Sequence, residues 1–565
     1  MKIKLHYSVF LIILILGIFF RSFNLKNIPP SIFSDEVDIG YQALTYNRTH
    51  TDYFGNKFPL FFQSYADWHA PFAIFPVSIF QKIIGVNIYS LKIPSILFGI
   101  VSLIFFYLLI KNISKSKSMA LISLLLISFS PWHIHYSRTN FEAVSGMILF
   151  LILGIFFWAK YLNNKKNNFL YLSLICFCLT PYFYGTAKLF LFFLFLSLII
   201  VWRKKILSLK IKQKFLSIII CFIILFPLIY STLFTESNSR FAYISIFSDP
   251  TISSQVDYQR FSDATLTHQG QIGINPNFLS KAFNNKITVI GRTFLKNYFS
   301  SFSTEFLILQ GDSNLRQGFK FQGYFFYFDL FIIFLGIYYA FLKEKKFSTF
   351  FLLLLLFAPI PFSLTRDSNS AHATRLILML PSLIYFLSFG YQKILKTSKI
   401  IFTLLLFIFV LNFSLFWYNY NIQYPQISAR YWHTGIKEII LSSESQKNNF
   451  SKIFYSGKDE SMLPFFLYYT QYQSSTNPSD PVKSFIWDNS HFFTGLQTDN
   501  KYYFGLIEWD NLLNNSKNCP DCLFVLDDRE YKEIISKNNN SELKIIDTQK
   551  TKYSDNYIYY LVSVK

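Results

Sequence analysis

The sequence predicts a polytopic α-helical membrane protein with about eleven transmembrane helices, interfacial helices in its first outer loop, and a C-terminal α/β domain on the outer face. Three observations carry that prediction. The 565 residues are 52% hydrophobic and 20% aromatic, with only 15% charged, which lies outside the usual range for a soluble globular chain. Lys and Arg residues concentrate in alternate short loops between the apolar segments. After Trp417 the composition changes, so that residues 419–565 hold 17 of the 32 acids.

The apolar segments run at about 7–23, 88–110, 119–136, 143–159, 169–187, 189–202, 215–234, 324–342, 347–364, 376–391 and 400–418. Several are shorter than the roughly 20 residues needed to cross a 30 Å core, so their ends must use flanking aromatic and polar residues. The first follows only Lys2 and Lys4, as in a signal peptide, yet Arg21-Ser-Phe-Asn-Leu offers no small-residue cleavage site. It reads as an uncleaved helix. With the N-terminus inside, segments 1–6, 111–118, 160–168, 203–214, 343–346 and 392–399 hold twenty Lys or Arg against one acid, Glu344. That is the positive-inside pattern. It puts 24–87, 137–142, 235–323, 365–375 and 419–565 outside, and it divides the chain into a membrane domain, 1–418, and an outer domain, 419–565. The formal charge of +21 is then a topology signal, and nucleic acid is excluded as the expected partner.

Pro71 to Ile84 is apolar enough to resemble a span, but counting it would turn every later lysine cluster outward. It reads as a helix along the outer interface, and 278–303 reads the same way. In the outer domain, strands are expected at Lys452–Ser456, Lys483–Trp487, Cys522–Leu526, Leu543–Ile546 and Tyr557–Val564, with helices at Arg430–Leu441 and Glu530–Lys537. Cys176, Cys178 and Cys221 fall in apolar spans as packing residues. Cys519 and Cys522, in NCPDC, lie outside, where a local structural disulfide is favoured over a redox centre because no thioredoxin-like βαβ pattern surrounds them.

The stretch Ser31–Gly85 carries Asp35, Glu36, Asp38, Asp52, Asp67 and His69 among aromatics, and cannot lie in hydrocarbon. Asp35-Glu36 opens an amphipathic helix after Pro29-Pro30, with Val37, Tyr41 and Leu44 at i, i+4 and i+7. Acids in a first turn are common helix caps. What raises a functional reading is their company at the outer ends of other spans: His69, Arg138, Glu142, Lys188, His372 and Arg375. The bland alternative for Lys188 and Arg375 is snorkelling to lipid headgroups. Two carboxylates and several cations at one face suit a general base acting beside a phosphate-bearing leaving group.

The order of features resembles the polyprenyl-phosphate-sugar-dependent membrane glycosyltransferases of the GT-C fold, whose members include the protein O-mannosyltransferases of glycosyltransferase family 39 and the lipid A aminoarabinose transferases. The matching residues are Arg21, Leu25 and Pro29 after span one, the pair Asp35-Glu36, HAPFAIFPVSIFQKIIG, Leu91-Lys-Ile-Pro-Ser, and Ser137-Arg138 with Glu142. The resemblance implies that Asp35 is the catalytic base, that Glu142 is a second acid in place of the usual Asp, and that His69 precedes a proline motif whose first proline is Ala70 here. Arg138, Lys188, Arg375 and His372 are the candidates for the donor phosphate. No cofactor is required, and a divalent metal could be held by Glu142 and His69. The expected reaction is inverting transfer of a hexosyl or pentosyl group from a polyprenyl-phosphate donor to an acceptor hydroxyl on a glycan, glycolipid or protein at the outer face of the plasma membrane. Transfer of a whole lipid-linked oligosaccharide, or transport of a lipid-linked substrate, are the alternatives. Transport would require charged or broken helices at the midplane, where these spans are apolar.

Overall fold

The computed structural model describes residues 2–65, 68–141, 143–234, 243–267, 277–366, 371–458, 461–473, 484–513, 519, 521–537, 543–550 and 557–564. The first ten helices are α1 (Lys2–Ser22), α2 (Ser34–Thr49), α3 (Pro71–Ile84), α4 (Ile88–Ser114), α5 (Lys117–Ser128), α6 (Pro131–Ser137), α7 (Val144–Asn164), α8 (Asn167–Leu179), α9 (Thr186–Leu207) and α10 (Ile211–Phe234).

All eleven predicted apolar segments fall on helices, and eight of the described helices are long and apolar enough to cross a membrane. A ninth span is the pair α5 and α6, bent by 60° where Pro131 cannot continue the helix. The remaining two segments give shorter helices than expected. Segment 169–187 becomes the 13-residue α8, ended by a 3-10 turn at Thr180–Tyr182 that contains Pro181. Segment 324–342 yields a 15-residue helix, Asp329–Lys343, with Phe328 at its N-cap and the Asp329 carboxylate accepting the Phe326 amide (2.9 Å) just before it. Helix α3, at 14 residues, is apolar and too short to span.

The chain divides into two compact units: Met1–Arg21, Leu97–Ser137 and Val144–Phe416 form the first, and Ser22–Ile96, Arg138–Ala143 and Trp417–Lys565 form the second. In the first unit, the bend after α5 exposes carbonyls that would otherwise be unpaired. Arg21 answers them. Its buried guanidinium donates to the carbonyls of Gly17 (2.8 Å), Ser128 (3.1 Å) and Ile127 (3.2 Å), and to His133 Nδ1 (2.7 Å). With Nδ1 accepting, His133 donates from Nε2 to Ser102 Oγ at 2.9 Å.

In the second unit, α2 packs between α3 and the Leu463–Tyr469 helix, so the first long connection and the C-terminal residues share one core. Gly40 permits the approach. A Cβ there would stand 2.5 Å from the Tyr468 ring, and the Gly40 carbonyl accepts from Gln81 Nε2 (2.8 Å). Tyr41 Oη donates to the Tyr472 carbonyl at 2.7 Å.

A hairpin of β1 (Phe62–Gln63) and β2 (Trp68–His69) pairs Phe62 with His69. The C-terminal sheet comprises β3 (Lys452–Ser456), β4 (Ile486–Ser490), β5 (Phe493–Thr498), β6 (Tyr502–Ile507), β7 (Cys522–Asp527), β8 (Leu543–Lys550) and β9 (Tyr557–Val564), in the order β4-β5-β6-β3-β7-β9-β8. The central strand β3 runs parallel to β6 and β7, and the other pairs are antiparallel. Phe454 and Phe524 stack at 5.1 Å in its core, and a disulfide joins Cys519 to Cys522 at the entry to β7. The sequence reading omitted β5 and β6, placed the edge strand β4 too early, and began the 430–441 helix six residues before its start. Gly435, at φ +96°, breaks the chain before Ile436–Ser445.

Candidate functional site

The first turn of α2 carries two adjacent acids in different surroundings. Asp35 is half-buried; Glu36 is fully buried. Glu36 Oε2 accepts the Phe33 amide (3.2 Å) at the helix entry, and Oε1 accepts the Asn140 amide (2.7 Å) from the connection before α7. The carboxylate therefore ties the two connections together. Ser95 reinforces this by donating to Asn140 Oδ1 at 3.2 Å. Burial pushes the Glu36 carboxyl above its ordinary value, while the Lys92 charge and the two amides pull it back. Lys92 is itself fully buried in the second turn of α4, and its Nζ makes no hydrogen bond among the described residues. Its charge is balanced through space by Glu36.

One turn further along α2, buried Asp38 meets buried His69. His69 Nε2 lies 2.5 Å from Asp38 Oδ2, which fixes the proton on Nε2 and turns Nδ1 the other way. The Tyr53 hydroxyl donates to Asp38 Oδ1 (2.9 Å) and stands 2.9 Å from Ser64 Oγ. Asp52 shapes the loop by accepting the amides of Phe54, Asn56 and Gln63. These contacts hold the β1–β2 hairpin, and thus His69, against α2.

Arg138 is fully buried. It donates from Nη2 to the Ile28 carbonyl (2.8 Å), and its guanidinium lies about 6 Å from the Trp417 and Tyr420 rings. Asp35, Glu36, His69 and Arg138 thus belong to the second unit. Glu142 lies outside the described residues.

Lys188, His372 and Arg375 belong to the first unit. Lys188 Nζ reaches Thr232 Oγ1 at 3.3 Å. His372 precedes the Ala373–Leu376 turn and Arg375 lies within it, and Asp312 fastens this turn to the 310–324 segment: Asp312 Oδ2 accepts the Ala373 amide and Oδ1 the Asn314 amide, both at 2.9 Å. Burial pushes the Asp312 carboxyl up to about 6, against those amides and the charges of Arg375 and Arg316. Arg316 is half-buried, and its carbonyl lies 2.6 Å from His135 Nε2.

Asn140, Tyr53, Asp312 and Arg316 were not picked out from the sequence, and Lys92 stood there only within the motif Leu91-Lys-Ile-Pro-Ser, with no role of its own. For a metal, His69 offers Nδ1 only, since Nε2 is engaged by Asp38. Among the described residues no group of three or more His, Cys, Asp or Glu side chains is placed to hold an ion.

The helices and the mixed terminal sheet give the chain the fold of a multi-pass membrane protein, similar to that of GT-C enzymes. Residues 68–230 match the family model of dolichyl-phosphate-mannose-protein mannosyltransferase. In fold the chain is similar to ArnT from Cupriavidus metallidurans, solved bound to undecaprenyl phosphate, with a TM-score of 0.54 and 8% identity over 99% of this chain and 98% of that one. It is similar at a TM-score of 0.47 and 13% identity to the oligosaccharyltransferase AglB from Archaeoglobus fulgidus, over 93% of this chain and 70% of that one. An uncharacterised protein of Aquifex aeolicus is 33% identical over 105 residues, a match spanning 19% of this chain and about a fifth of that relative (21%).

Proposed function

We propose that the chain is an inverting glycosyltransferase that moves a sugar from a polyprenyl-phosphate carrier to an acceptor hydroxyl. The observation that carries this reading is the difference in burial among the acids of α2: Glu36 and Asp38 are buried, whereas Asp35 is half-exposed at the helix N-terminus. In this reading Asp35 takes the proton from the acceptor hydroxyl as its oxygen attacks the anomeric carbon. The bond from that carbon to the phosphate oxygen breaks, and polyprenyl phosphate leaves. The leaving group is already an anion, so cations rather than a protonating acid stabilise it.

Glu36 acts as a positioning residue, and the Asp38–His69 pair fixes the neighbouring imidazole. Glu142 is the second acid of the reading. The candidates for the donor phosphate stay those of the sequence reading, Arg138, Lys188, Arg375 and His372. The positive-inside pattern supports an N-terminus in the cytoplasm and residues 419–565 outside.

The test is consumption of radiolabelled polyprenyl-phosphate sugars, hexoses and pentoses alongside a lipid-linked oligosaccharide, by the purified chain with a cell-envelope extract as acceptor. Release of polyprenyl phosphate from a monosaccharide donor is expected. Turnover of the oligosaccharide donor alone would shift the reading to en bloc transfer, and consumption of no donor would overturn it.

A further inference from the structure

The connection between α10 and the Asp329–Lys343 helix holds a feature that sugar transfer does not use. A cavity of about 420 Å³ is lined by Ile246, Phe247, Ile287, Ile290, Gly291, Phe294, Leu295 and Leu364. The residues from Lys286–Ser300 repeat at i, i+3, i+4, i+7 and i+8, so one face of that helix forms a wall. The other face is fixed to protein. Val289 is buried in a small cluster with Ile252 and Val256, and Asn297 donates to the Thr365 carbonyl at 2.9 Å.

The depth of this groove is set by its tethers. Tyr298 Oη donates at 3.0 Å to the carbonyl of Leu356, a residue inside the candidate span Lys345–Ser363. Leu364, which lines the groove, directly follows that span. The groove therefore opens where a transmembrane helix meets the interface. Residues 277–300 include Lys281, Lys286, Arg292 and Lys296 and no acid, the charge pattern of a helix lying on an anionic membrane surface. Two residues beyond Leu364, Arg366 sets its guanidinium 4.7 Å from the Tyr243 ring and donates to the Ser248 carbonyl. Its Nε is buried and has no hydrogen-bond partner among the described residues.

We propose that this groove binds one acyl chain of an anionic phospholipid, with the headgroup phosphate at Arg366. At about 30 Å³ per heavy atom, the share of a water molecule in the liquid, the groove holds on the order of fourteen carbons, the length of an acyl chain.

Gly291 provides the test. A Cβ there would meet no atom within 4 Å, so a larger side chain enters the groove and displaces nothing of the protein. The full chain is placed in phosphatidylcholine nanodiscs containing phosphatidylglycerol with a photoactivatable acyl chain, and labelled peptides are mapped. Labelling is expected at 246–247 and 287–295, retained in Gly291→Ala, and lowered roughly tenfold or more in Gly291→Leu, whose side chain takes the place of about four methylenes. Arg366→Gln should remove the preference for phosphatidylglycerol over a phosphatidylcholine probe, with melting curves confirming that each variant is folded. Equal labelling of wild type and Gly291→Leu would overturn the proposal. So would competition by unlabelled polyprenyl phosphate but not by phosphatidylglycerol, or equal labelling of the wild type by the zwitterionic probe.

Discussion

Replacing Glu36 with alanine should destabilise the second unit by about 3–5 kcal/mol, the penalty for removing one partner from a buried charge pair. An overlapping range, about 2–6 kcal/mol in sum, follows by another route. The Phe33 and Asn140 amides would both lose their acceptor, at about 1–3 kcal/mol for each buried donor left unpaired. Glu36→Gln keeps one acceptor oxygen and should lose only about 1–3 kcal/mol. Lys92, left buried without a counter-charge, then becomes the liability. Lys92→Met should therefore recover stability in the Glu36→Gln background and not in the wild type, a coupling that a double-mutant cycle isolates. The assay is equilibrium unfolding in detergent followed by tryptophan fluorescence, because Trp432 stands 6.5 Å from Phe33 and reports on this region. Glu36→Ala within 1 kcal/mol of wild type, or no coupling between positions 36 and 92, would refute the role given to Glu36 in tying the two connections together.

Tyr53→Phe removes the hydroxyl that donates to Asp38 and should lower stability by about 1 kcal/mol in the same assay. Gly40→Val should destabilise more, by about 1–3 kcal/mol, because its side chain would be driven into the buried Tyr468 ring. Asp312, with a carboxyl pushed up to about 6 from an ordinary 3.8, binds its proton more tightly folded than unfolded. Its contribution is thus fully present below about pH 4 and is lost as the pH rises through 6, amounting to about 3 kcal/mol over that window. Stability measured from pH 4 to 7 should fall less in Asp312→Asn than in wild type, and parallel curves would contradict this.

Much of the fold was legible because its signals are local. Apolar runs mark helices wherever they occur, and each of the eleven segments is helical. Their lengths were less legible: α8 stops at a proline and the 329–343 helix starts only at Asp329, both details inside runs that stay apolar. In the terminal sheet, FTGLQT and YYFGLI escaped notice as strands because glycines interrupt them. The site was legible residue by residue but not as contacts. Asp38 and His69 are 31 positions apart, and Glu36 meets Asn140 across 104. No spacing rule joins residues so distant; the packing of α2 against both connections does. Lys92 was masked by its neighbours, since a cation near the end of an apolar run reads as snorkelling until the surrounding protein is seen to enclose it.

The most direct test of the central claim compares single-turnover consumption of a radiolabelled polyprenyl-phosphate sugar by wild type and Asp35→Asn, with donor binding measured in the same samples. Loss of the proton acceptor predicts a fall of about 10²–10⁴-fold in rate with donor affinity unchanged. A mutant that binds donor and turns it over at the wild-type rate would remove Asp35 from the chemistry and contradict the account.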